Sequence, residues 1–259
     1  MIPYNKKQIK NEQEIQKMQA AGSLNALVLE EVRKLIEPGV TTKELDEAAE
    51  GIIRDHGGIP TFKGYPGPYP YPATLTISIN EEMVHGIPSG RTLKEGDIVS
   101  VDCGTTLDGY IGDSAFTAGV GEIGEEEQRL IQITQESLYK GIEQMRPGKH
   151  IGDVGAAIQK HVEEAGFHVP RQYTGHGVGR DMHEPPQVPN FGVPGQGMPL
   201  QEGLTIAIEP MVLVGTPHTK VLSDQWTVIS ADHSLTAHYE HTVAVTSNGP
   251  LILTQREER

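Results

Sequence analysis

The sequence predicts an α+β fold of two related halves that face each other about a pseudo-twofold axis. Two repeats indicate it. Pro38-Gly39 is matched by Pro147-Gly148, and each pair separates two helices, the second of which ends at a glycine. Leu93–Asp102 (LKEGDIVSVD) aligns with Leu200–Glu209 (LQEGLTIAIE), so that in both an apolar strand ends on a carboxylate. Because both repeats recur in the same order at nearly the same spacing, we infer an internal duplication.

Two helices open the first half. Asn11 and Glu14 form a capping-box pattern, and apolar residues then recur at helical spacing up to the first Pro-Gly pair. A second capping box, Thr41-x-x-Glu44, starts another helix that ends at Gly57-Gly58.

A loop and strands complete this half. Thr61–Pro72 reads TFKGYPGPYPYP, which cannot form regular structure. Leu75–Ile79 and Ile98–Val101 are predicted strands. The turn at 107–110 would return Asp113 beside Asp102 in a hairpin.

The second half repeats the order helix, helix, strands. Helices are predicted over Glu125–Arg146 and from about Ile151 to Gly166. The predicted strands are Thr205–Ile208, Val212–Val214, Thr227–Ile229 and His241–Thr246. We expect a single domain over residues 1–259, with halves at about 12–120 and 121–248, because the acid that ends each half needs compensation from elsewhere.

Composition excludes several classes of function. Thirty-five acidic and 21 basic residues give a net charge of −14, which argues against nonspecific binding to nucleic acid or to an anionic membrane. Cys103 is the only cysteine, so that an internal disulfide and a thiolate zinc finger are excluded, which suits a reducing cytosol. The polar stretch Met1–Lys10 predicts no signal peptide, and no apolar run is long enough for a membrane span.

Carboxylates at strand ends are the first candidate functional groups. Asp102 and Glu209 each follow an apolar strand and would face low dielectric. A salt bridge could compensate them, but no basic residue lies close in sequence. Related acids on symmetric strands would meet at the axis and repel unless metal lies between them, so a metal site is favoured.

Other acids and histidines could complete such a site. Asp113 is a candidate ligand, although a turn-capping aspartate is the alternative, a role that Asp108 fits better. In AHYEHTVAV, Glu240 is the anionic candidate, whereas His238 and His241 are equally compatible with a role as solvated or hydrogen-bonded strand neighbours.

Three further histidines stand in unusual contexts. Glycines surround His176 in GHGVG and let the backbone approach a ligand closely; a phosphate loop is excluded because the spacing is wrong and no strand precedes it. His183 lies in MHEPP and His85 in NEEMVHGIP. Taken singly, each is more often structural than catalytic.

Together these segments resemble type I methionine aminopeptidases, the dinuclear metallopeptidases with a pita-bread fold. The resemblance is carried by ISINEEMVHGIP, GDIVSVDCG, DGYIGDSA, GHGVGRDMHEPPQV, IAIEPM, QWTV and YEHTVAV, and it extends from about Asn11 to Leu253. It implies two α/β halves with an antiparallel sheet and helices on the outer face. Without a long insertion in the second half the chain looks unlike type II, and without an extra N-terminal domain it looks unlike aminopeptidase P or prolidase.

The resemblance implies two divalent metal ions per chain. Asp113 and Glu240 would bridge them, Asp102 would chelate one, and His176 with Glu209 would complete the other. This set is rich in oxygen donors and has no thiolate, so it suits Mn²⁺, Fe²⁺ or Co²⁺ and is unlike a thiolate zinc site. Zn²⁺ and Ni²⁺ are further candidates.

The resemblance also implies a reaction: removal of N-terminal methionine before a small second residue, by a hydroxide that the two metals share. Glu209 would shuttle protons as well as bind metal, His85 would contact the scissile amide nitrogen, and His183 would stabilise the oxyanion. Tyr71 and Trp226 would line the methionine pocket.

The expected pocket includes one further candidate and two departures from the family pattern. Met182 is a further candidate for the lining. The family often has cysteine where Thr76 stands, and the Thr61–Pro72 loop has its own proline-rich sequence.

Two alternatives compete with this reading: a peptidase of the same fold that cleaves before proline, and a protein of this fold that has lost its metals and binds a partner. All five ligand positions are kept, which disfavours the second. The expected partner is the N-terminus of a peptide or nascent chain, with association at the ribosome, no nucleic acid and no membrane. We expect a cytoplasmic monomer.

Overall fold

The computed structural model describes residues 7–256. Residues 1–6 and 257–259 lie outside the described residues. Most of Met1–Lys10, the stretch in which no signal peptide is predicted, is therefore not described. The helices are α1 (Glu12–Lys34), α2 (Thr42–Asp55), α3 (Glu125–Ile142) and α4 (Ile151–Glu164). The strands are β1 (Ile59–Pro60), β2 (Leu75–Ile79), β3 (Glu82–Val84), β4 (Ile98–Leu107), β5 (Tyr110–Gly119), β6 (Thr174–Gly177), β7 (Glu184–Pro189), β8 (Thr205–Ile208), β9 (Met211–Leu213), β10 (Thr219–Val221), β11 (Val228–Ser230), β12 (Thr236–His238), β13 (Glu240–Thr246) and β14 (Gly249–Ile252).

The predicted helix starts are confirmed. Asn11 and Glu14 form the capping box of α1, and Thr41 and Glu44 form that of α2. Helix α3 ends at Ile142, four residues before the predicted end at Arg146. There the chain changes to tighter turns, in which the Gln144 amide donates to the Gly141 carbonyl and the Met145 amide to the Ile142 carbonyl.

A nine-stranded antiparallel sheet joins the two halves. Its strand order is β1-β4-β5-β13-β8-β6-β7, with β2 also paired to β4 and β14 to β13. Strand β13, which comes late in the chain, therefore lies between β5 of the first half and β8 of the second. The predicted α+β class is confirmed.

Several strands differ from their predicted bounds. Strand β4 continues to Leu107 because it pairs along its whole length with β5, a strand that the apolar pattern alone did not mark. Strands β6 and β7 were not predicted either, since TGHG and EPPQVP are rich in glycine and proline; β7 tolerates its prolines at the sheet edge.

The sequence repeat has a structural counterpart. Gly96 and Gly203, which end the two L-x-E-G motifs, both have a φ of +86°, a left-handed conformation that favours glycine. The leucines that open the motifs, Leu93 and Leu200, are both buried. Each motif therefore turns the chain in the same way just before a strand that leads to a predicted ligand.

Helix α1 packs against the β4–β5 hairpin at very short range. A Cβ atom on Gly112 of β5 would lie 2.6 Å from the Cα atom of Gly22 on α1. A Cβ atom on Gly22 would in turn lie 2.1 Å from the carbonyl oxygen of Leu253. Glycine is needed at both positions because backbone meets backbone there.

Within residues 7–256, no helix has both the length and the apolar character that a membrane crossing requires.

Candidate metal centre

The β4–β5 hairpin presents two carboxylates on one face of the sheet. Its turn has positive φ at Asp108 (49°) and Gly109 (75°), the conformation typical of a two-residue hairpin loop. Asp113 pairs with Gly104, two residues along β4 from Asp102. Because side chains two apart on a strand share a face, Asp102 and Asp113 are diagonal neighbours, as the hairpin prediction required.

The second half brings three more candidate ligands to the same place. Glu240, the first residue of β13, pairs with Ala115, which on its other side pairs with Asp102. Glu209 follows β8 directly, and His176 on β6 pairs with Ala207 of β8. All five predicted ligand side chains line one cavity.

Short distances join these groups. The Nε2 atom of His176 lies 3.4 Å from Oε1 of Glu209 and 3.6 Å from Oδ2 of Asp113. One ligand atom each from Asp113, His176 and Glu240 lie within 4.8 Å of one another, a group that could hold a metal ion.

The donor set fits divalent metal. Asp102 Oδ1, Asp113 Oδ1 and Glu240 Oε1 are buried without a hydrogen-bond partner. Among the described residues, no lysine or arginine lines the cavity. A salt bridge therefore does not compensate these acids, and cations are the remaining charge that could.

Burial shifts the pKa values of the whole cluster. Desolvation raises the pKa of Asp113 to about 7. Desolvation and repulsion by Asp113 raise the pKa values of Asp102, Glu209 and Glu240 well above their usual range. All three shifts have the cause expected when like charges crowd together in low dielectric, and a bound cation would reverse them.

His85 lies on the cavity wall in a strained conformation. It follows β3 with a φ of +62°, and its ring centroid lies 6.3 Å from that of Trp226 and 6.4 Å from that of Tyr173. Burial and the neighbouring His183 lower the pKa of His85 to about 4, so that the imidazole is neutral at pH 7.

His183 lies at the rim of the same cavity. Its ring centroid is 4.2 Å from that of His176, and its Nδ1 atom is 2.5 Å from the hydroxyl of Tyr65. Desolvation lowers its pKa too. When the Tyr65 hydroxyl donates to Nδ1, the ring proton is on Nε2.

Aromatic rings form one end of the cavity, which has a volume of about 280 Å³. Tyr71 is buried, and its hydroxyl donates to the carbonyl oxygens of Leu75 (3.0 Å) and Gly86 (2.8 Å). Its ring meets Trp226 edge to face at 5.1 Å. Gly67 lies directly on the indole, where a Cβ atom would be 2.3 Å from Cη2 of Trp226.

Several cavity residues were not singled out as site residues from the sequence: Phe62, Tyr65, Val84, Gln172, Tyr173, Thr174, Met211 and His238. Strand alternation would have found two of them, because Met211 and His238 are each two residues from a predicted ligand.

Met182 lines the cavity as well. His238 is buried, with Nε2 3.9 Å from Oε2 of Glu240. His241 points elsewhere and bonds the Thr254 hydroxyl at 2.9 Å, which matches the hydrogen-bonded alternative.

Known proteins are similar to this chain in sequence and fold. The family model described as metallopeptidase family M24 matches residues 16–247. A protein named methionine aminopeptidase from Clostridium acetobutylicum is 51% identical over 247 residues, which cover 95% of this chain and 98% of the relative. The crystal structure of methionine aminopeptidase from Thermotoga maritima is similar with a TM-score of 0.93 and 46% identity, covering 96% of this chain and 99% of that one.

A more distant likeness concerns the fold alone. A prolidase from Pyrococcus horikoshii is 23% identical with a TM-score of 0.78, and the match covers 98% of this chain but 65% of the prolidase. The predicted pita-bread fold and the predicted family are both confirmed. The chain belongs to metallopeptidase family M24, among the methionine aminopeptidases.

Proposed function

We propose that this chain removes the N-terminal methionine from peptides and nascent proteins, with a preference for a small second residue. The observation that carries the proposal is one cavity in which four carboxylates and an imidazole converge beside an aromatic pocket. Its volume lies just below the roughly 300–1,000 Å³ of most small-ligand sites, which suits one side chain and its neighbouring peptide bond.

Two divalent metal ions would be held by the five clustered side chains. Strand order brings Asp113 and Glu240 to the middle of this group, with Asp102 on one side and His176 and Glu209 on the other. Such ions supply Lewis-acid activation of a water molecule and of the peptide carbonyl. Four oxygen donors and one nitrogen favour Mn²⁺, Fe²⁺ or Co²⁺.

Three side chains would handle protons and charge. The Glu209 carboxylate would accept the proton of the attacking water and pass it to the leaving amine. The neutral His85 imidazole would hydrogen-bond the scissile amide nitrogen. His183, its Nδ1 held by Tyr65, would donate from Nε2 to the oxygen on which negative charge develops.

The aromatic end of the cavity would select the first side chain. The Tyr71 hydroxyl is occupied by two backbone carbonyls, so its ring presents an apolar edge to the cavity together with Trp226. A thioether makes favourable contacts with aromatic rings and is flexible enough to fill such a pocket.

A release assay tests the proposal. The chain would be stripped with chelator, reloaded with Mn²⁺ or Co²⁺, and given Met-Gly, Met-Ala, Met-Leu and Xaa-Pro peptides. We expect methionine to be released from Met-Gly and Met-Ala fastest, and Asp113→Asn to be inactive as the control. If no divalent metal restores release, the proposal is wrong. Release from Xaa-Pro peptides alone would instead favour cleavage before proline.

The setting of the reaction is part of the proposal. The chain would act as a monomer with one catalytic domain, in the cytoplasm and near the ribosome. A site built from both halves of a continuous sheet agrees with a single domain, and a buried, unpaired Cys103 agrees with a reducing compartment. Sedimentation of the tagged chain with translating and with empty ribosomes would test the association. Light scattering of the isolated chain would test the monomer.

A further inference from the structure

The two candidate bridging ligands come from strands with a short mutual pairing. Strands β5 and β13, which carry Asp113 and Glu240, share two register pairs, Glu240 with Ala115 and His241 with Ser114. By contrast, β4 and β5 pair along ten residues. Beyond these two pairs, side chains join the strands: the Thr242 hydroxyl accepts from the Asp113 amide at 3.1 Å and donates to the Asp113 carbonyl at 2.8 Å. The register beside the carboxylates at this seam between the halves therefore depends on side-chain hydrogen bonds.

The segment 253–256 crosses the back of this seam and bonds to both strands. On the β13 side, the Leu253 amide donates to the Thr242 carbonyl at 2.9 Å, and the Thr254 hydroxyl accepts from the Thr242 amide at 3.1 Å. On the β5 side, Arg256 donates from Nη1 to the Ser114 hydroxyl at 2.7 Å and from Nη2 to the Ala115 carbonyl at 2.9 Å.

Further hydrogen bonds connect Ser114 to β4, the strand that carries Asp102. The Ser114 hydroxyl donates to Oδ1 of Asn25, a fully buried residue of α1. Asn25 in turn donates from Nδ2 to the carbonyls of Cys103 and Gly112, which flank Asp102 and Asp113. Arg256 is thus the outer end of a buried chain of bonds to the backbone beside both hairpin carboxylates.

We propose that Arg256 and Thr254 are positioning residues that hold β5 and β13 in register and so set the spacing of the Asp113 and Glu240 carboxylates for metal. The inference rests on the proposed function, which makes these two residues ligands. The guanidinium matters here through its fork geometry, because one planar group reaches a hydroxyl on one residue and a carbonyl on the next.

Positioning and charge predict opposite effects when Arg256 is replaced. A positive charge near a cation site repels the cation, so its removal alone would tighten metal binding. Loss of the strand register would weaken metal binding, since partners that orient ligands typically contribute about 10–100-fold to metal affinity. The sign of the change therefore separates the two roles.

The test compares Arg256→Met and Arg256→Lys with Arg129→Met. Arg129 is the matched control because it shares two features with Arg256. It donates to a backbone carbonyl, that of Ala165, and its guanidinium lies over the Phe167 ring as that of Arg256 lies over the Phe116 ring. Mn²⁺ affinity would be measured on each full chain from the free-ion electron paramagnetic resonance signal, at a temperature where circular dichroism shows the chain folded. Substrate kcat and KM would be measured with the same samples.

We expect Arg256→Met to bind Mn²⁺ about tenfold more weakly and Arg129→Met to bind as the parent does. Arg256→Lys, which keeps the charge but lacks the fork, should fall between them. Unchanged or tighter binding by a folded Arg256→Met would overturn the inference.

A second variant covers the case in which Arg256→Met does not fold. Thr254→Val keeps the side-chain volume and removes the hydroxyl on the β13 side; it should weaken Mn²⁺ binding in the same direction, and parent-like binding would overturn the inference. If the parent chain binds metal and releases methionine while a folded Arg256→Met binds Mn²⁺ as the parent does, only this inference fails. If no divalent metal gives the parent chain activity, the proposed function fails, so the two failures are distinguishable.

Discussion

The close approach of helix α1 to the segment 253–256 can be tested with the variant Gly22→Ala. The added Cβ atom would lie 2.1 Å from the oxygen and 2.7 Å from the carbonyl carbon of Leu253. Normal contacts are about 3.5 Å, so the two backbones would have to separate by roughly 1.4 Å. A backbone atom cannot rotate away as a side chain can, and we therefore take the upper end, about 3 kcal/mol, of the usual cost of overpacking.

Part of that cost is offset by helix propensity. Replacing glycine by alanine inside a helix gains about 1 kcal/mol, so the net effect should be about 2 kcal/mol of lost stability. Gly51→Ala on α2 is the matched control, because Gly51 is exposed with no atom within 4 Å of the added Cβ. It should raise the free energy of unfolding by about 1 kcal/mol.

Urea unfolding would compare both variants with the parent. Chelator present throughout removes any contribution from bound metal, which would otherwise stabilise the folded chain by mass action. Far-ultraviolet circular dichroism follows the helices. Equal midpoints for Gly22→Ala and Gly51→Ala would refute the close approach of α1 to Leu253, because the reasoning requires a difference of about 3 kcal/mol between them.

Three further predictions concern buried groups. His85→Ala should keep Mn²⁺ binding but lose about 10²-fold or more in kcat, measured by isothermal titration and methionine release. Since the pKa of His85 is lowered to about 4 in the folded chain from an unperturbed 6.5, the unfolded chain binds the extra proton first as the pH falls. Protonation of His85 should therefore cost up to about 3 kcal/mol of stability between about pH 6.5 and 4, while the buried carboxyls with raised pKa values act in the opposite direction. His85→Gln should remove the His85 cost, so its urea midpoints should fall less than those of the parent over this range. Cys103, fully buried, should resist alkylation in the native chain and react fully in urea, as measured by mass spectrometry.

Each of these has a contrary outcome. Loss of metal from His85→Ala would mean that the residue supports the site rather than the substrate. An unchanged pH profile in His85→Gln would assign the acid sensitivity to other buried histidines. Rapid labelling of native Cys103 would contradict the packing of β4 against α1.

Local chemistry made much of the fold predictable. The capping boxes at Asn11 and Thr41 need only residues three apart, and both form as predicted. The Asp108-Gly109 turn determines which residues of the hairpin face each other, and that places Asp113 near Asp102. Such features depend on spacing within a few residues, so a single sequence contains them.

Other parts of the site depend on tertiary contacts that spacing does not reveal. Tyr65 reaches His183 across the fold, and Arg256 reaches Ser114 from the far end of the chain. Strands β6 and β7 form because neighbours pair with them, although glycine and proline disfavour strands in isolation. The pattern around each residue gave no signal of these partners.

The late position of β13 has a consequence for how the chain is made. Synthesis proceeds from the N-terminus, so Asp102 and Asp113 emerge long before Glu240, and until then the β5 edge has no partner strand. Closing a sheet through strands so far apart in sequence is slow, because the entropy of a long loop must be overcome first. The growing chain should therefore acquire metal affinity abruptly, when the strand beginning at residue 240 inserts. An enzyme with this topology cannot act until nearly all of its own sequence has been translated.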